Sequence, residues 1–152
     1  MKHPAFLAGW CALLALTACI PPIPKLTPKV YLHPVKGALA SQQPPVAITG
    51  ITTGFGSGTI SLQLPGGESC TGNWVPVPQE QGDLGLASSW DQVYGDGFFT
   101  RHVLGSRWRG AATLRGDKGS EFRLEFYRGD AKENPMLGVA RDSAGNLFKV
   151  IQ

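Results

Sequence analysis

Apolar and polar side chains alternate over three stretches of the chain, each broken in the middle by a short glycine-rich gap. From Gly58 to Trp74, Ile60, Leu62 and Leu64 share one face; Cys70, Gly72 and Trp74 share one after the break at Pro65-Gly66-Gly67. Period-two alternation is the mark of a half-buried strand. A three-residue loop ending in Gly67 sets Leu62 opposite Cys70, Ile60 opposite Gly72 and Gly58 opposite Trp74. Such loops commonly end on a left-handed residue, which glycine adopts without steric cost.

From Gly110 to Phe126 the same design returns around Asp117-Lys118-Gly119. Leu114 faces Phe122, Ala112 faces Leu124 and Gly110 faces Phe126, while Arg115 meets Glu121 on the other face. A two-residue loop would reverse the parity and turn the apolar residues to solvent. The third hairpin is shorter: Ser143-Ala144-Gly145 is the loop, with Ala140 facing Phe148 and Gly138 facing Val150. In the first two hairpins an aromatic stands across from a strand glycine, an arrangement that covers the exposed backbone.

Two further strands are predicted over 46–52 and 98–104. The sum is an all-β domain of about eight strands, an antiparallel meander that must close into a barrel or a two-sheet sandwich to bury its apolar face. The segment 76–97 interrupts it as an insertion. Ser88 or Ser89 can start a short helix there, with Trp90 and Tyr94 on one face at a spacing of four. The insertion is expected either to plug one open end of the barrel or to form an aromatic ledge for a ligand. The chain holds 20 Gly and 12 Pro, a level of punctuation that suits short strands and many turns.

The N-terminal region reads differently. Lys2 precedes an apolar run from Ala5 to Leu16, and Leu16-Thr17-Ala18-Cys19 follows directly. The run has the length of a signal-peptide core and is too short to span a bilayer. The tetrapeptide resembles the lipobox of bacterial lipoproteins. That resemblance implies a signal peptide over 1–18, cleavage before Cys19, and attachment of diacylglycerol and a further acyl chain such as palmitate to Cys19. Ile20 occupies the position where an Asp would resemble an inner-membrane retention signal, so the resemblance points to the outer rather than the inner membrane. Residues 19–45, with seven prolines from Pro21 to Pro45, are expected to form an extended tether, and 46–152 the β-domain.

Charge is uneven. Residues 46–100 carry five acids and no Lys or Arg, residues 101–152 carry ten basic and six acidic residues, and the tether carries Lys25, Lys29 and Lys36 without an acid. Pairing between the two halves of the domain accounts for the first two. The tether lysines suit either plain solvation or an anionic lipid surface. No nucleic-acid patch is evident. With Cys11 leaving in the signal and Cys19 taken by lipid, Cys70 is expected as a buried thiol or as an intermolecular partner.

Chemistry-bearing residues are sparse. Only His102 and Cys70 of the zinc-ligating types lie in the domain, short of the three or four ligands a zinc site takes. Cys70 falls on an apolar strand face, which disfavours its thiolate. Gly54-Phe55-Gly56-Ser57-Gly58 lacks the Lys of a phosphate loop and reads as a bend, and Asp142 to Asn146 reads as a hairpin turn rather than a calcium loop. Glu121, Glu125, Asp130 and Glu133 could offer paired carboxylates, but the register sends Glu121 and Glu125 to solvent. No catalytic, cofactor-binding or metal residue is therefore assigned. Trp108 shares parity with Gly110, Ala112 and Leu114 and is expected in the core. Trp90, Tyr94, Arg109 and Tyr127 are the candidate binding surface, since aromatic and Arg clusters are common at interfaces.

Ser89 through Gly97 and Gly138 to Val150 also loosely resemble stretches of small uncharacterised lipoproteins of proteobacteria, a likeness that implies no activity. The expectation is a lipid-anchored protein of the cell envelope, not an enzyme, held to the membrane through Cys19. Its β-domain would serve a structural or interaction role with another envelope protein or a cell-wall polymer. The alternatives are a periplasmic small-ligand binder and, less favoured, a hydrolase.

Overall fold

A computed structural model describes residues 30–41, 46–49 (backbone only), 57–129 and 135–151. The signal peptide, Cys19, the start of the tether, Pro44 and Pro45, the Gly54–Gly56 bend, and Asp130 and Glu133 lie outside them. Eight strands form a closed antiparallel barrel in chain order: β1 (Val30–Lys36), β2 (Val46–Thr49), β3 (Gly58–Gln63), β4 (Ser69–Pro76), β5 (Trp108–Gly116), β6 (Glu121–Arg128), β7 (Met136–Asp142) and β8 (Leu147–Ile151). Closure comes from β8 pairing back on β1, with Leu32 against Val150 and Pro34 against Phe148. Among the described residues the strands thus close into a barrel, with each strand paired on both sides.

The three hairpins adopt the expected registers. Leu62 pairs with Cys70 and Ile60 with Gly72; Leu114 pairs with Phe122 and Gly110 with Phe126; Ala140 pairs with Phe148. Gly67, Gly119 and Gly145 all have positive φ, as loops of this type require. Gly119 sits at φ +98° with open space where a Cβ would be, so a substitution there meets only the conformational penalty. Gly119→Val should cost about 1–2 kcal/mol, seen as a melting temperature lower by roughly 5 °C. An unchanged melting curve would mean the loop is not held in this conformation.

The barrel interior is a continuous apolar cluster. Val30, Leu32, Ile60, Leu62, Cys70, Leu114, Phe122, Leu124, Phe148 and Val150 are each 2% exposed or less. Complete burial of one such Val, Leu, Ile or Phe is worth about 1.5–3 kcal/mol, so the filled interior dominates the stability of the fold. Over Gly110 the Phe126 ring lies close enough that an added Cβ would stand 2.5 Å from its Cζ. Trp74 meets the same ring edge-on at 5.5 Å.

The barrel takes in more of the N-terminal region than expected. β1 lies within the segment read as a tether, and Pro34 is the residue that disguised it. Proline cannot donate to a ladder. Among the described residues β2 pairs with residues 30–32 of β1, and Pro34 falls beyond that stretch. The register against β8 shifts between Pro34 and Lys36.

The second correction concerns 98–104, read as a strand. Residues Phe99–Val103 form a π-helical turn, following helix α1 (Ala87–Tyr94). The insertion does not plug an end. It folds back on the outside of the barrel wall, where Leu86, Trp90, Phe99 and Val103 make a second apolar cluster with Tyr127 and Val139. The outer face is therefore covered at Glu125 and Tyr127 of β6 and at Val139 of β7, and left exposed at Glu121, Arg123 and Arg141.

The two ends of the barrel differ. At one, the hairpin tips are locked by polar groups. Glu68 accepts hydrogen bonds from Lys118 N (3.1 Å), Ser120 N (2.9 Å) and Ser120 Oγ (2.7 Å), and these donors hold its carboxyl below the usual carboxylate range. The stabilisation from a carboxyl depressed in this way is present above its unfolded pKa and is lost as pH falls through the lower folded value. Asp142 accepts from Asn146 N (2.7 Å) and Nδ2 (2.6 Å), while Asn146 Oδ1 accepts from Leu39 N (3.1 Å). The other end holds the start of β1, the end of β8 and the start of β5 at Trp108.

Candidate functional site

The four residues expected as a binding surface do come together, but beneath the flap rather than on the surface. Trp90 is fully buried, Arg109 is 3% exposed and Tyr127 9%; Tyr94 is half-buried. Arg109 pairs with Tyr127 across β5 and β6 on the outer face, as the register implied. The outer face is dry there because α1 and the loop before it cover it.

Glu125 organises this seam. It neighbours Arg109 diagonally across the strand pair, within reach of a long side chain. One carboxylate oxygen accepts from Arg109 Nε at 2.6 Å and forms an ion pair with Arg109 Nη2; the other accepts from Trp90 Nε1 at 2.7 Å. Arg109 continues outward, donating from Nη1 to the Gln81 carbonyl (2.8 Å) and from Nη2 to the Gly82 carbonyl (3.1 Å), and its guanidinium lies 5.2 Å from the centre of the Phe99 ring. Glu125, placed in solvent by its strand parity, is in fact completely buried. A buried pair of this kind survives because its remaining hydrogen-bonding capacity is filled. With both oxygens engaged, Glu125 has no free face to work as an acid or base.

A ladder of rings runs along the flap. Trp90, Tyr94, Phe98 and His102 follow one another at a spacing of four. Tyr94 stacks on Phe98 at 4.8 Å, and Phe98 meets His102 in a tilted contact at 4.7 Å. The same spacing in the sequence marked 98–104 as helical, had it been carried past Tyr94. Tyr94 Oη lies 3.1 Å from the Gly138 carbonyl and 3.2 Å from the Val150 carbonyl, to which it can donate in turn. Burial pushes its phenol up to about 12. The start of the helix is fixed by Asp83, whose Oδ1 accepts from Gly85, Leu86 and Ala87 N at 2.8, 2.9 and 2.9 Å, in place of the serine cap expected at 88 or 89.

The remaining chemical candidates stay apart. Cys70 points into the barrel and is buried; its thiol is pushed up to about 11, first by burial and then by the charges of Glu68 and Asp117. His102 is exposed on the opposite side of the wall, against Phe98. A Cys–His dyad is therefore ruled out by placement. Glu121 is exposed, 3.8 Å from Arg115, the surface pair the register called for. Among the described residues no group of three or more His, Cys, Asp or Glu is placed to hold a metal ion.

Trp108 is the other departure from expectation. Its parity is that of the interior, yet it is 62% exposed. β4 ends at Pro76, which pairs with Gly110, so no strand flanks Trp108 on that side and it stands past the last filled layer.

Outside the seam, the outer wall of β4 and β5 bounds an open groove of about 420 Å³ lined by Asn73, Val75, Leu84, Leu86, Ala111, Thr113 and Arg123. Arg123 donates to the Leu84 carbonyl and so props the rim. Neither Trp90 nor Tyr94 contributes to it.

The geometry defines a class: a small, closed, apolar-filled antiparallel barrel with an external helical flap pinned by a buried Arg–Glu–Trp cluster. No family model, curated protein or solved structure matches the chain.

Proposed function

We propose that the chain is an envelope lipoprotein, carried by acyl chains on Cys19 in the outer membrane, whose barrel is non-catalytic and acts through its outer surface on another envelope protein or a cell-wall polymer. The anchor rests on Leu16-Thr17-Ala18-Cys19 directly after an apolar signal-like run. The mode of action rests on one observation: the barrel interior is packed with apolar side chains, so recognition falls to the outside. A small-ligand role for the interior, which would need a cavity of several hundred Å³, loses its site by the same packing. The groove on β4 and β5 is large enough for a side-chain cluster or short segment of a partner, and it keeps the second reading, a small-ligand binder, in play on the outer wall.

One experiment in cells tests both halves. A photocrosslinking residue at Thr113, exposed in the groove, is introduced in the full chain and in its Cys19→Ser variant, with labelled palmitate in the medium. The expected result is palmitate on the parent and none on the variant, and one defined envelope protein or polymer captured from position 113. Palmitate on Cys19→Ser would overturn the anchor. Capture of only lipid or further copies of this chain would overturn the partner.

A further inference from the structure

One cross-strand row on the outer wall stays open between the flap and the hairpin tips. The ladders pair Thr113 with Arg123, Arg123 with Arg141, Arg141 with Leu147, and Leu147 with Lys36, so these residues lie side by side across β5, β6, β7, β8 and β1. The next outer positions toward the Trp108 end, Glu125 and Val139, are covered by the flap. Thr113, Arg123, Arg141 and Lys36 are exposed, and Leu147 is buried between them. The segment 42–45, which joins β1 to β2 at the hairpin-tip end and lies outside the described residues, has no charged residue.

Arg123 and Arg141 face each other directly on adjacent strands. Like charges in that relation are destabilising, so the fold draws no benefit from the pair. Among the described residues Arg141 has no hydrogen bond, ion pair or ring contact. Arg123 donates to the Leu84 carbonyl, and Lys36 Nζ donates to Gln92 Oε1 at 3.1 Å; both acceptors are neutral groups of the flap. None of the three cations is ion-paired among the described residues. The acids on neighbouring elements are engaged elsewhere. Glu121 faces Arg115, and Glu125 is held by Arg109 and Trp90. Asp83 accepts three backbone N–H groups, Asp91 accepts from Phe99 N at 3.0 Å, and Asp142 accepts from Asn146.

We propose that the row Arg123, Arg141 and Lys36 binds the phosphate groups of a phosphorylated glycan. An anion set against the two arginines relieves their repulsion, and the guanidinium fork matches phosphate oxygens in pairs. Lys36 stands three strand spacings from Arg123, about 15 Å, which is farther than one small anion reaches. The ligand is therefore a chain carrying several anionic groups. The row has no aromatic side chain, so it offers neither a platform for stacked bases nor the aromatic anchor common at protein interfaces. Exposed Thr71, Asn73 and Thr113 beside it on β4 and β5 supply hydroxyl and amide groups that can bond sugar hydroxyls. This names the chemistry of the partner proposed above, and rests on that reading in taking the outer surface as the place where it binds.

The test titrates fluorescent phosphorylated dextran with the full chain in nonionic detergent and reads anisotropy. The parent should bind it and leave unmodified dextran unbound. Arg141→Ala should weaken binding about fivefold, and Arg141→Glu about tenfold or more, while the melting temperature of Arg141→Ala stays that of the parent, as for a surface residue without a partner. Arg107→Ala, which removes the same charge from an exposed position at the Trp108 end, should bind as the parent does. Equal weakening by Arg107→Ala and Arg141→Ala would reduce the effect to net charge and overturn the site. Polyglutamate or duplex DNA bound as tightly as phosphorylated dextran would overturn the glycan in favour of an acidic protein or a nucleic acid. Absence of binding, with position 113 still capturing an envelope protein in cells, would overturn the glycan and leave the outer-surface reading in place. Capture of only lipid or further copies of this chain from position 113 would overturn that reading, and this one with it.

Discussion

Replacement of Glu125 by Ala is expected to destabilise the domain by about 3–5 kcal/mol, because it leaves a charged guanidinium and an indole N–H buried without their acceptor. The carboxylate takes hydrogen bonds from Arg109 Nε and Trp90 Nε1 and completes the ion pair with Arg109, and both partners are 3% exposed or less. In a domain of this size the loss should appear as a fall of roughly 10–20 °C in melting temperature. The double replacement Arg109→Met with Glu125→Leu separates the cost of an unpaired charge from the worth of the pair. It should recover the part of the loss due to the unpaired guanidinium, since an apolar pair of similar volume buries no charge, while the Trp90 indole N–H stays without its acceptor. Equal destabilisation of the single and double variants would show that the flap is held by packing alone. If Glu125→Ala melted like the parent, the carboxylate would have to be reached by water, contrary to its burial.

Gly72→Val carries the second large effect and acts inside the barrel. A Cβ at position 72 would overlap the Thr113 carbonyl oxygen and come within 3.0 Å of Leu114 Cα and 2.9 Å of Leu114 Cδ2. The obstacle is largely backbone of the neighbouring strand, so no rotamer change removes it. β4 and β5 would have to separate at the seam where Thr71 meets Arg115 and Trp74 meets Ala112. Overpacking of a tight core costs about 1–3 kcal/mol when side chains can yield; here the expectation is the upper end or beyond, about 3 kcal/mol. Equilibrium denaturation measures it, and Gly66→Val, at a loop position with open space around it, is the control expected to change little. Parity between the two variants would mean that the β4–β5 contact is looser than described.

The two predictions probe the parts of the protein that differ most in how they were encoded. Gly72 belongs to a hairpin whose register follows from alternation and loop length, and its approach to β5 is an extension of that pattern. Glu125 has the parity of an outer-face residue, and nothing local marks it as buried. Its neighbour Tyr127 and its partner Arg109 were placed on the right face and in the right pairing, but their exposure depended on whether a segment some twenty residues upstream folded over them. Trp108 shows the reverse case. Interior parity sends a side chain inward only where a filled layer exists to receive it, and at the end of β5 there is none.

By itself the sequence determined the local pattern: three hairpins, their three-residue turns and, Trp108 apart, the residues of those hairpins that face inward. These follow from short-range causes, since pleat parity and the left-handed demand at Gly67, Gly119 and Gly145 act within a few residues. The tertiary structure alone decided that β1 joins the barrel despite Pro34, that β8 closes on it, and that the flap lies against β6 and β7 rather than over an end. Each of those depends on which surface is left dry once distant segments meet. Burial is a property of the assembled chain, and a charged residue such as Glu125 becomes a core residue only when its partners arrive from elsewhere.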